Sequence, residues 1–195
     1  MARAQAANTD TATRTLDVAE RLVQTRGFNG FSYADIAAEL GVTKASLHYH
    51  FASKTELGRA LIERYAERFR ERLGQIDAGG AAPPAKLAAY ADIYASVLRD
   101  RRMCLCGMLA AEYETLPEPI REAILRFFDE SETWLADVLE QGEADGSLRL
   151  QGSARDEGRA IVSGLEGALL VARPYADVDR FETAAASLLK RLAAA

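Results

Sequence analysis

The sequence has few of the features that mark secreted, membrane-bound or metal-dependent proteins. Only two of its 195 residues are cysteines and two are histidines, so we expect neither a disulfide framework nor a metal site. No run of about 18 or more apolar residues is present, and no membrane span is expected. Met1–Asp10 has no apolar segment of the secretory type. These absences predict a cytoplasmic protein.

The motifs of catalysis are also missing. The chain has no glycine-rich phosphate loop and no nucleophile elbow, so we expect neither an enzyme nor a cofactor. A helical scaffold protein without DNA activity is one alternative, which DNA binding would exclude. An architectural DNA binder is another, but it fits poorly with a formal net charge of −5.

The residues that are abundant favour helix. Hydrophobic residues make up 49% of the chain, alanine, leucine, arginine and glutamate dominate, and no segment alternates as a strand does. The fold class predicted is therefore all-α. Residues 1–73 carry 11 Lys/Arg and 9 Asp/Glu, whereas the remainder carries 13 and 20. Only the N-terminal third is therefore suited to close approach to phosphates.

Ser32–His50 has the pattern of a helix-turn-helix. A first helix is predicted over Thr13–Arg26. A second begins at Ser32, and the turn at Gly41-Val42 leads to a third helix capped by Thr43. Glycine adopts the positive φ that a sharp reversal needs. Apolar residues fix the angle between the helices: Ile36, Ala37, Leu40, Val42 and Leu47. In such a motif the second helix enters the major groove of DNA.

Side chains suited to DNA line the outer face of that second helix. They offer hydrogen-bond donors, a cation and a small apolar surface, and Lys54 adds a cation at the start of the next helix. A tight corner between two helices with no DNA activity remains the alternative at this point. The candidate DNA-binding residues are Thr43, Lys44, Ala45, Ser46, His48, Tyr49 and His50, with Lys54.

The segment Thr15–Leu57 resembles the N-terminal domain of the TetR family of regulators. The resemblance lies in the Arg26-Gly27-Phe28 ending of the first helix and in four later motifs: Phe31-Ser32-Tyr33-Ala34-Asp35-Ile36-Ala37, Gly41-Val42-Thr43-Lys44, Leu47-His48-Tyr49-His50-Phe51 and Lys54-Thr55-Glu56-Leu57. It implies a three-helix DNA head, a divergent ligand-binding domain and a homodimer that reads a palindromic operator. It also implies that Tyr33 lies near a phosphate. His48 departs from the family, which more often has an aromatic residue there.

The clearest linker lies at residues 77–84, which contain two glycines and two prolines. It predicts a DNA-binding domain at 10–56, a connecting helix and linker at 57–84, and a ligand-binding and dimerisation domain at 85–195. Helices are predicted there near 85–100, 103–115, 118–145, 153–173 and 177–194. Apolar stripes on the last two predict the dimer surface, with packing inside the protomer as the alternative: Ile161, Gly164, Leu165, Ala168, Leu169, Ala172, Phe181, Ala185, Leu188 and Leu192.

Both cysteines and two methionines fall within Met103–Met108. They are either ordinary core residues or a thiol sensor, with Arg101 and Arg102 close enough to favour a thiolate at Cys104. The segment is also similar to a TetR subgroup that includes electrophile-responsive repressors. Glu112 and Arg173 are either polar ligand contacts or members of surface salt bridges. The candidate effector residues are Cys104, Cys106, Met108, Glu112, Tyr113, Tyr90, Tyr94, Phe127 and Trp134.

Taken together, the motif and the resemblance predict a sequence-specific transcriptional regulator. We expect a repressor that an unidentified small molecule or a thiol-reactive compound releases from its operator. Activation instead of repression remains an alternative.

Overall fold

The computed structural model describes residues 2–194, and the side chains of residues 10–194. Within this range the regular elements are helices, apart from an isolated bridge between Leu148 and Ala193. The all-α prediction is confirmed. The nine α-helices described are α1 (Ala2–Arg26), α2 (Tyr33–Leu40), α3 (Lys44–His50), α4 (Lys54–Ala78), α5 (Pro83–Arg99), α6 (Leu105–Ala111), α7 (Glu118–Ala144), α8 (Ala154–Ala172) and α9 (Val178–Lys190), with short 3₁₀ helices at Tyr113–Thr115 and Arg173–Tyr175.

The chain divides into two compact units. The N-terminal unit comprises residues 1–66 together with Leu105–Ile124, and the C-terminal unit comprises Glu67–Cys104 and Leu125–Ala195. This division differs from the expected linker boundary, because α4 continues through Ile76 to Ala78 and contributes to both units. The expectation also placed 105–124 in the second domain, whereas α6 packs against α1 in the first. The functional division at 10–56, 57–84 and 85–195 stays a prediction.

The N-terminal unit has a small apolar core under the helix-turn-helix. Fully buried side chains on its first four helices include Val23, Ile36, Leu47 and Leu57. Ion pairs add to this packing at the rim, where Arg64 of α4 contacts Asp17 at 2.8 Å and Glu20 at 3.0 Å, both on α1. Because the carboxylate of Asp17 is well exposed, we expect most of the stability to come from the apolar contacts.

The C-terminal unit packs α8 against α9 and α5. At the α8–α9 contact a Cβ on Gly164 would lie 2.7 Å from Leu188, so the absence of a side chain allows the close approach. Most residues of the predicted dimer stripes are buried in this unit, with Ile161, Leu165 and Phe181 at most 1% exposed. The buried members of these stripes are therefore not available to a partner protomer, and the use of the two helices at a dimer surface stays a prediction. An apolar period shows that a face is covered, not which chain covers it.

Other apolar side chains are exposed instead. Leu170 and Val171 near the end of α8 and Tyr175 in the following 3₁₀ helix are each more than half exposed. No helix in residues 2–194 has both the length and the apolar character needed to cross a bilayer.

Candidate nucleic-acid interface and effector site

The first helix of the motif begins at a complete capping box. The Ser32 hydroxyl accepts from the backbone N–H of Ala34, while Asp35 accepts from the Ser32 N–H at 2.8 Å. Two otherwise unpaired donors at the start of α2 are thus satisfied. The hydrogen bonds from Ser32 hold the pKa of Asp35 below its usual value, so the box is charged at neutral pH.

The turn between α2 and α3 is made by glycine and threonine. Gly41 has φ 67° and ψ 32°, in the left-handed region, and its backbone N–H donates to Ala37 as the end of α2. The Thr43 hydroxyl then accepts from the N–H of Ser46 at 3.2 Å and starts α3. These short-range signals define the reversal that the sequence predicts.

The side chains of α3 separate into an inner and an outer set. Leu47 is fully buried, while Thr43, Lys44, Ala45 and His48 are exposed. Tyr49 is 76% exposed, which is far more than a tyrosine serving the core would be. Ser46 and His50 are half-buried. The structure thus groups the seven predicted contacts of this segment on one short helix and its cap.

Tyr33 lies under this surface. Its hydroxyl donates to the Phe51 carbonyl at 2.8 Å and its ring lies 4.6 Å from that of His48. Burial, together with the charge of Glu56, raises the pKa of Tyr33 to about 12. Tyr33 therefore joins the start of α2 to the end of α3 as a neutral phenol. Its expected contact with a phosphate remains a prediction.

Lys54 holds the turn that follows α1. Its ammonium donates to the carbonyls of Phe28, at 2.5 Å, and Phe31, and lies 4.6 Å and 4.3 Å from their ring centroids. Burial lowers the pKa of Lys54, and the charges of Glu112 and Asp35 oppose this effect. Because the Lys54 ammonium already donates to both carbonyls, the geometry favours a structural role for Lys54 over the predicted DNA contact.

Glu112 holds the same turn from the other side. Its carboxylate accepts from the backbone N–H of Phe28 at 2.5 Å and of Asn29 at 3.3 Å. A Cβ on Gly27, whose φ is +83°, would lie 2.8 Å from the Glu112 Oε1 atom. An anion therefore binds the donors of Gly27–Phe31 while a cation binds its acceptors. We name Glu112, Lys54 and this turn the turn clamp.

Glu112 was expected at the effector site, and the structure corrects this. Its carboxylate is occupied by the turn within the N-terminal unit. Cys106, Met108 and Tyr113 belong to the same unit, where Cys106 is fully buried and Tyr113 lies 5.6 Å under the Arg121 guanidinium. The boundary between the units falls directly after Cys104, and the place of Cys106, Met108 and Tyr113 at an effector site stays a prediction.

The remaining aromatic candidates do come together in the C-terminal unit. Tyr90 and Tyr94 are buried with their hydroxyls 3.3 Å apart, and Trp134 stacks on Tyr90 at 5.6 Å. Phe127 is buried beside Phe69, at 4.9 Å. Burial raises the pKa values of both tyrosines well above the ordinary range. They are neutral hydrogen-bonding groups with apolar surroundings, as small-molecule sites require.

Glu166 completes this group, and the sequence predictions did not include it. Burial raises the pKa of Glu166 to about 7, and a hydrogen bond from Cys104 opposes the rise. Its Oε1 atom is buried and has no hydrogen-bond partner among the described residues. The sequence signal that could have identified Glu166 is its position between the apolar residues Leu165 and Leu169 of α8. We name Tyr90, Tyr94, Cys104 and Glu166 the buried polar cluster.

The indole of Trp134 is fixed from outside this cluster. Its Nε1 donates to Asp77 at 2.8 Å, and Lys86 contacts the other oxygen of Asp77 at 2.7 Å. Burial alone would raise the pKa of Asp77, but the hydrogen bonds from Lys86 and Trp134 outweigh it and lower that pKa. No three His, Cys, Asp or Glu side chains among the described residues converge as metal ligands.

A capped pair of short helices with an exposed polar second helix, joined to a larger helical unit, defines a helix-turn-helix DNA-binding protein. Residues 16–61 match the model of the bacterial regulatory proteins of the tetR family, and residues 83–188 match the tetracyclin repressor-like C-terminal domain. The chain belongs to the TetR family of transcriptional regulators. Regulators of this family act as dimers with small-molecule effectors.

Known relatives are similar along most of the chain. A TetR-family regulator from Agrobacterium tumefaciens is 32% identical, with a TM-score of 0.92 over 96% of this chain and 100% of that one. Transcriptional regulator AcuR of Cereibacter sphaeroides is 28% identical over 76% of this chain and 69% of its own length. Repressor NemR of Escherichia coli is 26% identical over 91% of both chains, and its reduced form has a TM-score of 0.84.

Replacing Glu112 with alanine tests the turn clamp. The substitution leaves the N–H groups of Phe28 and Asn29 and the ammonium of Lys54 without their anion. We expect the free energy of unfolding to fall by about 2 kcal/mol, measured by urea denaturation. Glu114→Ala is the matched control, because Glu114 is exposed in the adjacent 3₁₀ helix. Equal stability of the two variants would show that the turn does not depend on the carboxylate.

Glu166→Gln tests the raised pKa of the buried carboxyl. The folded state keeps the proton to about pH 7, whereas the unfolded chain loses it near the ordinary value of 4.5. The wild-type protein should therefore lose stability as the pH rises from 4.5 to 7, by ~3 kcal/mol relative to Glu166→Gln, with little further loss above pH 7. Denaturation at each pH measures this. Parallel curves for wild type and variant, as expected for the exposed Glu140→Gln, would contradict the raised pKa.

Proposed function

We propose that the protein is a dimeric repressor that binds a palindromic operator through α3 and leaves it when a small molecule occupies the buried polar cluster. One observation supports the proposed DNA binding: one side of α3 is buried and fixes the helix, while its polar side is covered by nothing in the described chain. Leu47 is 0% and Tyr49 is 76% exposed on the same seven-residue helix. A tyrosine so exposed is available to contact DNA.

Each exposed residue has a chemistry that suits DNA. Lys44 supplies a mobile cation for a phosphate or for a guanine edge, and Ala45 offers a methyl group to thymine. Tyr49 and His50, whose rings lie 5.3 Å apart, supply a donor and flat apolar surface. Lys54 and Tyr33 act beneath this layer, since both are bonded to backbone carbonyls. We therefore place sequence reading on α3 and support on these two.

A dimer would present two such helices about 34 Å apart or somewhat more, as a palindrome requires. Leu170, Val171 and Tyr175 supply exposed apolar surface for the contact between protomers. NemR and DhaR, a relative from Mycobacterium that is 23% identical, are both described as repressors. These names favour repression over activation for this chain.

The effector half rests on Glu166. Its unpartnered Oε1 atom can accept a hydrogen bond from an entering molecule, and the aromatic rings of Tyr90 and Trp134 can cover an apolar body. Occupation of that oxygen would remove a desolvated, unsatisfied acceptor, which is a favourable change. The chemistry fits a small aromatic or aliphatic molecule with an amine, amide or hydroxyl donor.

A thiol-reactive effector is the second candidate, because Cys104 lies within the cluster and forms no disulfide. The structure of NemR is described as a reduced form, which favours the comparison. The surroundings of Cys104 oppose it. The side chain is 2% exposed, and its hydrogen-bond partner is a carboxyl group, whose negative form disfavours a thiolate. Reversible binding is therefore the proposal we prefer.

The DNA contacts are tested with Lys44→Ala and Tyr49→Ala. Each should bind the DNA upstream of the protein's own gene at least tenfold more weakly, with helicity and dimer mass unchanged. Because Lys44 neutralises a phosphate in this proposal, its loss should also reduce the slope of log K against log salt by about one. Fluorescence anisotropy measures both quantities. Lys190→Ala, an exposed lysine at the end of α9, should bind normally, and wild-type affinity in both α3 variants would refute the interface.

The effector site is tested through Trp134, the single tryptophan. Amines, amides and alcohols with apolar bodies are screened for a change in its emission, and those that change it should release DNA. We expect Glu166→Gln to bind them at least tenfold more weakly, whereas Cys104→Ser should respond normally. N-ethylmaleimide and peroxide should leave the wild-type complex with DNA intact. Release by these reagents that disappears in Cys104→Ser would establish the thiol mechanism instead.

A further inference from the structure

A surface cavity of about 320 Å³ lies in the C-terminal unit, where the end of α5 meets the residues between α8 and α9. It shares no lining residue with the buried polar cluster. Three of the residues around it are arginines, in a region of the chain whose net charge is negative. The lining residues are Leu98, Arg99, Arg101, Arg173, Ala176 and Val178.

Two of these arginines, Arg99 and Arg101, differ in the groups that their guanidinium contacts. The Arg99 guanidinium contacts Asp92 at 2.9 Å and Glu182 at 2.7 Å, so its charge is neutralised within the protein. Arg101 is exposed, and its guanidinium makes no hydrogen bond or ion pair with the described residues. The cavity therefore has one guanidinium held by carboxylates as part of its wall and another that is available to a ligand.

The backbone at Arg101 is the second observation. Its φ is +58°, in the left-handed region, and its N–H donates to the Leu98 carbonyl at 2.8 Å as the chain leaves α5. Glycine is the usual residue in this position because a side chain makes the conformation unfavourable. Gly27, Gly41 and Gly146 occupy other left-handed positions of this chain.

Ala176, the other described non-glycine residue with positive φ, at +50°, lines the same cavity. Both sites of unfavourable backbone conformation outside glycine therefore lie at one place. Such residues persist where the surrounding structure fixes them, and they concentrate at ligand sites. At Arg101 the chain retains a charged fork at a position where glycine would be more stable.

We propose that this cavity binds a small organic anion, a carboxylate or a phosphate ester with a short apolar body, through the Arg101 guanidinium. A guanidinium donates two parallel hydrogen bonds to either group, which is the geometry that both anions accept. Leu98, Ala176 and Val178 supply apolar contact for the remainder of the ligand. The volume lies at the lower end of the range for small-molecule sites, which favours a small ligand over a large one.

Arg101→Gly separates the role of the side chain from that of the backbone. Glycine relieves the left-handed strain, so the free variant should melt about 2–4 °C above wild type. The same variant should bind anions at least tenfold more weakly than wild type. Arg101→Lys keeps the charge but not the planar guanidinium, so its affinity for anions should lie between those of wild type and Arg101→Gly. Arg155→Ala, an exposed arginine on α8, is the control and should match wild type in both respects.

Inorganic phosphate, acetate and butyrate are the probes, titrated against the full chain by calorimetry and by thermal shift, with chloride at equal ionic strength. Saturable binding that is lost in Arg101→Gly supports the proposal. Tighter binding of butyrate than of phosphate assigns a carboxylate with an apolar body, and the reverse order assigns a phosphate. Absence of saturable binding by all three, or equal binding by wild type and Arg101→Gly, would overturn it, as would a lower melting temperature of Arg101→Gly.

Discussion

The turn after α1 is held by two charges of opposite sign, and the position of the DNA-binding helices depends on it. Glu112 binds the N–H groups of the turn and Lys54 binds its carbonyls. A turn of this kind has donors and acceptors on different sides, so one charged group could satisfy only half of them. Since α2 begins directly after this turn, fixing it also fixes where the helix-turn-helix starts. The clamp also links the turn to the chain segment that follows α6.

Sequence reasoning succeeded where the determining residues are close together in the chain. Ser32, Gly41 and Thr43 act on neighbours within about four positions, and the structure has them in the predicted roles. The partner of Phe28 is 84 residues away, and no local signal indicates such a pair. The same limit explains why Glu112 was assigned to the effector site. A charged residue near cysteines is compatible with many partners, and only the tertiary fold selects one.

The C-terminal unit shows what apolar periodicity leaves open. The stripes of α8 and α9 are expected at a dimer surface, but most of their residues are covered within the protomer, where Gly164 lets α9 approach. Periodicity also concealed Glu166, because one carboxylate in a long apolar stripe does not change its period. Desolvation of that group raises its pKa to about 7 and leaves one of its oxygens without a partner among the described residues.

The brevity of α3 has a consequence for how this regulator evolves. A helix of seven residues cannot form alone in water, because nucleation is unfavourable and too few turns follow it. The stability of α3 therefore depends on the burial of Leu47 in the core and on the Thr43 cap at the turn. Lys44 and Tyr49 are exposed and lie outside that core. If α3 reads the operator as proposed, substitutions at these exposed positions would change which operator is preferred while the fold stays intact, so DNA preference and foldability would vary independently within one helix.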